Sequence, residues 1–92
     1  MINIFVGNLA ADATEHDLRP LFETYGAIER ISMVTDPETG RPRGFAFVEM
    51  VDDIEGQRAV RELAGANLHG QTLNIFEARP KPDWWRARLS RL

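Results

Sequence analysis

A chain of 92 residues, 43% apolar and 27% charged with seven glycines and five prolines, has the composition of one small globular domain and leaves no room for a second. The absence of cysteine excludes disulfides, thiolate metal sites and a cysteine nucleophile, and two separated histidines, His16 and His69, cannot build a metal cage. The net charge of −3 hides an asymmetry: residues 1–78 carry thirteen acids against six arginines, a balance of −7, whereas residues 79–92 carry four arginines and Lys81 against Asp83, a balance of +4. No apolar run approaches the roughly 20 residues that span a bilayer, and Met1 leads into a strand-like run rather than a basic leader. The expected setting is cytoplasmic, with no membrane contact and no cofactor.

Ile2–Leu9 is short, apolar and β-prone, with Gly7 and Asn8 as punctuation, and predicts a first strand. Thr14 with Asp17 three residues on resembles a capping box, and Leu18, Leu21, Phe22 and Tyr25 then follow at amphipathic helical spacing, stopped by Gly26. Pro20 removes one intrahelical bond, which predicts a kink or a short first turn. Ile28–Thr35 predicts a second strand, closed by the turn residues Asp36-Pro37 and Thr39-Gly40, with Phe45–Val51 as its partner. Asp52 or Asp53 caps a second helix with apolar positions Ile54, Ala59, Val60 and Leu63, Gly65 as its stop and Gly56 as a weak point. Thr72–Ala78 predicts a fourth strand, after which Pro80 and Pro82 break the chain before a last segment, Asp83–Leu92.

The order strand, helix, strand, strand, helix, strand is the α+β, ferredoxin-like βαββαβ arrangement, a four-stranded antiparallel sheet with two helices on one face. Alternation puts Phe45 and Phe47 on one side of the third strand and Ala46, Val48 and Met50 on the other. Both sides are apolar, so whichever side the helices leave open displays hydrophobic groups to water; the reversed register would expose Val48 and Met50 instead.

Arg43-Gly44-Phe45-Ala46-Phe47-Val48-Glu49-Met50 resembles the octamer of the RNA recognition motif (RRM) family, matching six of its seven specified positions. A chance match is expected on the order of once per million windows. Ile4-Phe5-Val6-Gly7-Asn8-Leu9 resembles the family's shorter motif on its first strand. The resemblance covers Ile2 to about Arg79, giving an RRM domain over residues 1–79 and a basic, tryptophan-containing tail over 80–92, a layout similar to small single-RRM proteins of bacteria. It implies single-stranded RNA as partner, with single-stranded DNA sharing the same stacking chemistry. On this resemblance Phe5 and Phe47 match the base-stacking positions, Phe45 the aromatic that contacts sugars and Arg43 the phosphate-pairing position. Gly44 leaves room beside it. Asn8 matches a structural asparagine that holds the following loop. Met50 departs from the aromatic of the pattern, at a core position where methionine is an adaptable filler.

Strand alternation adds Asn74 and Phe76 to the same face, and Arg30 and Ser32 if Ile31 and Met33 point inward. Arg79 at the sheet edge, Arg41, Lys81, Trp84 and Trp85 complete the candidate RNA contacts; the tail arginines read equally as the solvated face of a terminal helix. In Asp83–Leu92, Trp85, Leu89 and Leu92 share a helical face that needs a partner, which the open sheet, a second protomer or the RNA could supply; the open sheet, which the tail would cover as a lid, is preferred over a disordered or helix-side tail and over a second protomer. A monomer is expected, with a dimer through this tail as the other reading. No catalytic constellation is present: His16 and His69 lack a serine or carboxylate partner at a recognisable spacing, and the glycines match no phosphate-binding loop. The alternative function is a protein–protein interaction module using the helical face or the tail.

Overall fold

The structure, a computed structural model, describes residues 1–78. Arg79, Lys81, Trp84 and Trp85, and with them the tail helix and its lid or dimer role, lie outside the described residues. The elements are β1 (Ile2–Gly7), α1 (Glu15–Glu23), β2 (Ile28–Thr35), β3 (Pro42–Met50), α2 (Asp53–Leu63), β4 (Asn67–Leu68), β5 (Gln71–Thr72) and β6 (Asn74–Glu77). Four strands form one antiparallel sheet in the order β2-β3-β1-β6, with both motif-bearing strands at its centre, as a ferredoxin-like α+β fold requires. Among the described residues, no helix is long and apolar enough to cross a membrane.

The core lies between the sheet and the helices. Ile2, Ile4 and Val6 of β1, Ala46, Val48 and Met50 of β3 and Ile75 of β6 are buried against Leu18 and Phe22 of α1 and Ala59 and Leu63 of α2. Met50 is fully buried, consistent with a filler role at that position. Helix α1 starts where the Asp17 carboxylate accepts the Thr14 backbone N–H at 2.9 Å, and α2 where Asp52 accepts from the Glu55 N–H at 2.8 Å. Helix α1 remains one element across Pro20. The ring has no N–H to offer the His16 carbonyl, yet the buried pair Leu18 and Phe22 anchors the helix on either side.

Several local expectations change or sharpen. Ile54 is 77% exposed, because α2 buries Gly56, Ala59 and Leu63, and two residues before Gly56 is about 200° around the helix, on its far side. Gly56, weak in helix propensity, is also a close approach, since a β-carbon there would overlap Cγ2 of Ile2. Strand β1 ends at Gly7, one residue before Asn8 enters the left-handed region at φ 60°. The fourth strand is divided: Gln71–Thr72 folds back on Asn67–Leu68 around His69 and Gly70, at φ 53° and 80°, and only Asn74–Glu77 joins the sheet. Positive φ at both central residues is the geometry of a tight two-residue hairpin, which His-Gly does not announce as Asn-Gly would. Strand β3 also begins earlier than expected, at Pro42.

Candidate nucleic-acid interface

The sheet face turned away from the helices is built in rows by the strand registers. One row runs Ser32, Phe47, Phe5, Phe76 across β2, β3, β1 and β6. On one side of it Phe45, Gly7 and Asn74 are register partners, and on the other Arg30, Glu49 and Asn3. The four phenylalanines predicted for this face are therefore brought together, from three strands, on adjacent positions.

Phe5 is the hub of the cluster. Its ring stacks on Phe76 at a centroid distance of 4.6 Å and an interplanar angle of 22°, and on Phe45 at 5.6 Å and 27°. Phe47 meets it edge-on at 5.8 Å and 71°, and meets Phe45 at 6.1 Å and 90°. Gly7 makes room for this hub: a β-carbon at that position would lie 2.6 Å from Cε1 of Phe5. Mutual contact leaves Phe5, Phe45 and Phe47 half-buried, while Phe76, on the edge strand, is 54% exposed. These distances suit offset-stacked and edge-to-face aromatic pairs.

The polar candidates surround the rings. Asn74, Ser32 and Arg30 are exposed on β6 and β2, Arg43 is exposed two residues before Phe45, and Arg41 is exposed in the connection between β2 and β3. Among the described residues, Arg30, Arg41 and Arg43 make no ion pair, whereas Arg19 on α1 is bound to Glu15 and Glu23. The cations near the rings thus retain their donors for a ligand. Gly44 is required by conformation more than by room: its φ is 85°, while a β-carbon would sit at an ordinary 3.6 Å from the Leu9 carbonyl. That kink lets the Gly44 carbonyl accept from the Leu9 N–H at 2.9 Å, tying the end of the first motif to the start of the second.

Two expectations about polar side chains are corrected here. Asn8 does not hold the loop that follows it; its Nδ2 donates to the Thr72 carbonyl at 2.7 Å, fastening the end of β1 to β5 across 64 residues. His69 does have carboxylate partners, with Nδ1 3.3 Å from Asp12 and Nε2 3.0 Å from Asp17. The β4–β5 turn is thereby tied to the start of α1. The Asp17 carboxyl is held below its ordinary range chiefly by the Thr14 backbone N–H, against some loss of hydration, with the Thr14 hydroxyl and His69 adding to the effect. With one carboxylate on each ring nitrogen, His69 is a structural tie rather than a catalytic base. No cluster of three or more potential metal ligands occurs among the described residues.

Asn3 and Glu49 share the aromatic face but lie outside the set the motifs single out; alternation alone, two residues before Phe5 and two after Phe47, locates them. Asn3 Oδ1 is buried and has no hydrogen-bond partner among the described residues. On the helical side a groove of about 310 Å³, lined by Ile54, Gln57, Val60, Arg61 and Glu77, contains none of the predicted contact residues.

Comparison with known proteins places this geometry. The chain matches the family model of the RNA recognition motif over residues 4–74. It is 48% identical over 82 residues to RbpD of Nostoc sp., provisionally named an RNA-binding protein, covering 89% of this chain and 87% of that one. The crystal structure of RNA binding protein PG1 is similar with a TM-score of 0.84 at 43% identity, covering 90% of this chain and 100% of that one. The Sxl-lethal protein–RNA complex is similar with a TM-score of 0.81 at 32% identity, over 89% of this chain and 49% of that one.

Proposed function

Because this chain belongs to the RNA recognition motif family, we propose that it binds single-stranded RNA on the open sheet, stacking bases on the phenylalanines and holding phosphate with arginine. The observation that carries this reading is the contact of Phe5 with Phe45, Phe47 and Phe76 on the face that, among the described residues, neither α1 nor α2 covers. A contiguous aromatic patch on a sheet is unfavourable in water and marks a binding surface. Its natural complement is a flat, partly apolar group, and an unpaired base offers two such faces with a hydrogen-bonding edge between. The names of the relatives and the Sxl-lethal protein–RNA complex support the same partner. The chain is a binding module, not an enzyme.

The family's motif positions suggest the division of labour. Phe5 and Phe47 on the central strands take the stacked bases, Phe45 packs against the sugars, and Phe76 extends the platform toward the β6 edge. Arg43 meets phosphate beside Phe45, with Arg41 and Arg30 as outlying cations and Asn74 and Ser32 as edge contacts. Stacking makes no use of the 2′-hydroxyl, so single-stranded DNA competes for the same rings. The net charge of −7 over residues 1–78 keeps the rest of the surface from non-specific phosphate binding.

Fluorescence anisotropy with a mixed-sequence RNA octamer, alone and annealed to its complement, tests the reading. The single strand is expected to bind and the duplex to bind at least several-fold more weakly, since pairing and stacking hide the faces that the rings require. Equal binding of both forms would contradict the proposal.

A further inference from the structure

Beside the aromatic row lies a polar row that stacking does not explain. Arg30 is the register partner of Glu49, and Glu49 of Asn3, so the three stand side by side on β2, β3 and β1. In that order they present a donor-only guanidinium, an acceptor-only carboxylate and an amide whose Oδ1 is buried without a partner among the described residues. Among the described residues neither Arg30 nor Glu49 joins an ion pair, although opposite charges face each other across paired backbones. The row keeps its hydrogen-bonding capacity.

A carboxylate is a poor neighbour for phosphate. On a face that meets RNA its place is against a base edge, and Glu49 lies about 7 Å along β3 from Phe47, within reach of the edge of a base seated over the rings. The four bases differ in what they offer there. Guanine presents an acceptor and two adjacent donors, O6, N1–H and N2–H. Uracil presents acceptor, donor, acceptor; cytosine a donor and two acceptors; adenine a donor and one acceptor. Only guanine complements the order donor, acceptor, acceptor of Arg30, Glu49 and Asn3.

We infer that Glu49, flanked by Arg30 and Asn3, is the specificity-determining residue of this sheet, and that it selects guanine for the base seated beside Phe5 and Phe47. The inference rests on the stacking mode proposed above. The carboxylate takes N1–H and N2–H together, Arg30 reaches O6 from β2, and rotation of the Asn3 amide brings its acceptor to the remaining N2 hydrogen. Guanine thereby meets an acceptor at Asn3, where uracil, with O2 on that side, would bring a second acceptor.

Anisotropy with the four pentanucleotides UUGUU, UUAUU, UUCUU and UUUUU, at one salt concentration, tests it. The parent is expected to bind UUGUU about five- to a hundredfold more tightly than UUUUU, the range for one bidentate base contact. Glu49→Gln, which keeps the shape but exchanges one acceptor for a donor, brings that ratio below about twofold. Because the variant also loses a negative charge, a common gain is superimposed on all four affinities, and the ratio rather than the absolute affinity is the readout. Asn3→Ala reduces the ratio in part. Equal binding of the four RNAs by the parent, or an unchanged ratio in Glu49→Gln, would overturn the inference and leave stacking untouched. Failure of the parent to bind any of the four would overturn the RNA-binding reading together with it.

Discussion

The two faces of β3 are built from alternate residues of one strand and have opposite fates. Ala46, Val48 and Met50 are fully buried beneath the helices, whereas Phe45 and Phe47, larger and more hydrophobic than Ala46, stay half-buried against other sheet rings. Hydrophobicity therefore does not decide which face becomes the core; the face with two amphipathic helices to cover it does. The inner face spends its apolar area on folding. The outer one holds apolar area in reserve, with its rings fixed by each other and by the strand registers. Stability and binding should consequently respond to different substitutions in the same sheet.

Phe22→Ala, on the covered side, is expected to show the largest effect: a fully buried ring is lost from the centre of the core, with a destabilisation of about 3–5 kcal/mol in urea unfolding. For a domain of this size such a loss removes much of the total stability. Phe47→Ala should reverse the pattern, weakening single-stranded RNA binding by about 1–3 kcal/mol. Its own unfolding free energy should fall by only about 1 kcal/mol, from the lost contacts to neighbouring rings. If Phe47→Ala unfolded the protein instead, the separation of the two faces would not hold.

Arg43→Ala sharpens the comparison on the open side alone. Binding should weaken, and the log-log salt slope should become shallower by about 0.7, the value for one phosphate contact on a single strand. With few cations beside the rings, the parent slope should reflect about two to four such contacts. A slope unchanged by the substitution would remove Arg43 from the phosphate path.

The smallest expected effect lies on the helical side, at Asp17. Its folded-state pKa is lowered by the Thr14 N–H, so its contribution to stability is fully present above the unfolded value near 3.8 and is lost as pH falls through the lower folded value. Asp17→Asn should therefore have a lower urea midpoint than the parent at pH 7, with the gap narrowing as pH falls below 3.8. RNA affinity at pH 7 should not change, since this carboxylate lies on α1 and ties down the β4–β5 turn.

Much of the fold and of the ring cluster was legible in the sequence because both rest on short-range pattern. A period of two in Phe45 to Met50 sorts the two faces, and a helical period from Leu18 to Phe22 finds the cover. What the chain brings together over long separations was not legible. The bond from Asn8 to Thr72 and the contacts of His69 with Asp12 and Asp17 link residues that no local spacing relates. Ile54 is a false signal, because apolar character alone ignores its angle around the helix relative to Ala59 and Leu63. Glu49 stood within the motif at its one unspecified position, so a pattern that defines the stacking residues was silent on it.

The most direct test of the account is an amide NMR titration of the full chain with a short single-stranded RNA. The account predicts that the largest shift changes fall on residues 3–7, 43–49 and 74–77, the strands that carry the rings and the polar row beside them, while α1 and the exposed side of α2 stay nearly still. Changes concentrated on α2 around Ile54 and Arg61, with the strands unmoved, would place the binding surface on the helical side and contradict it.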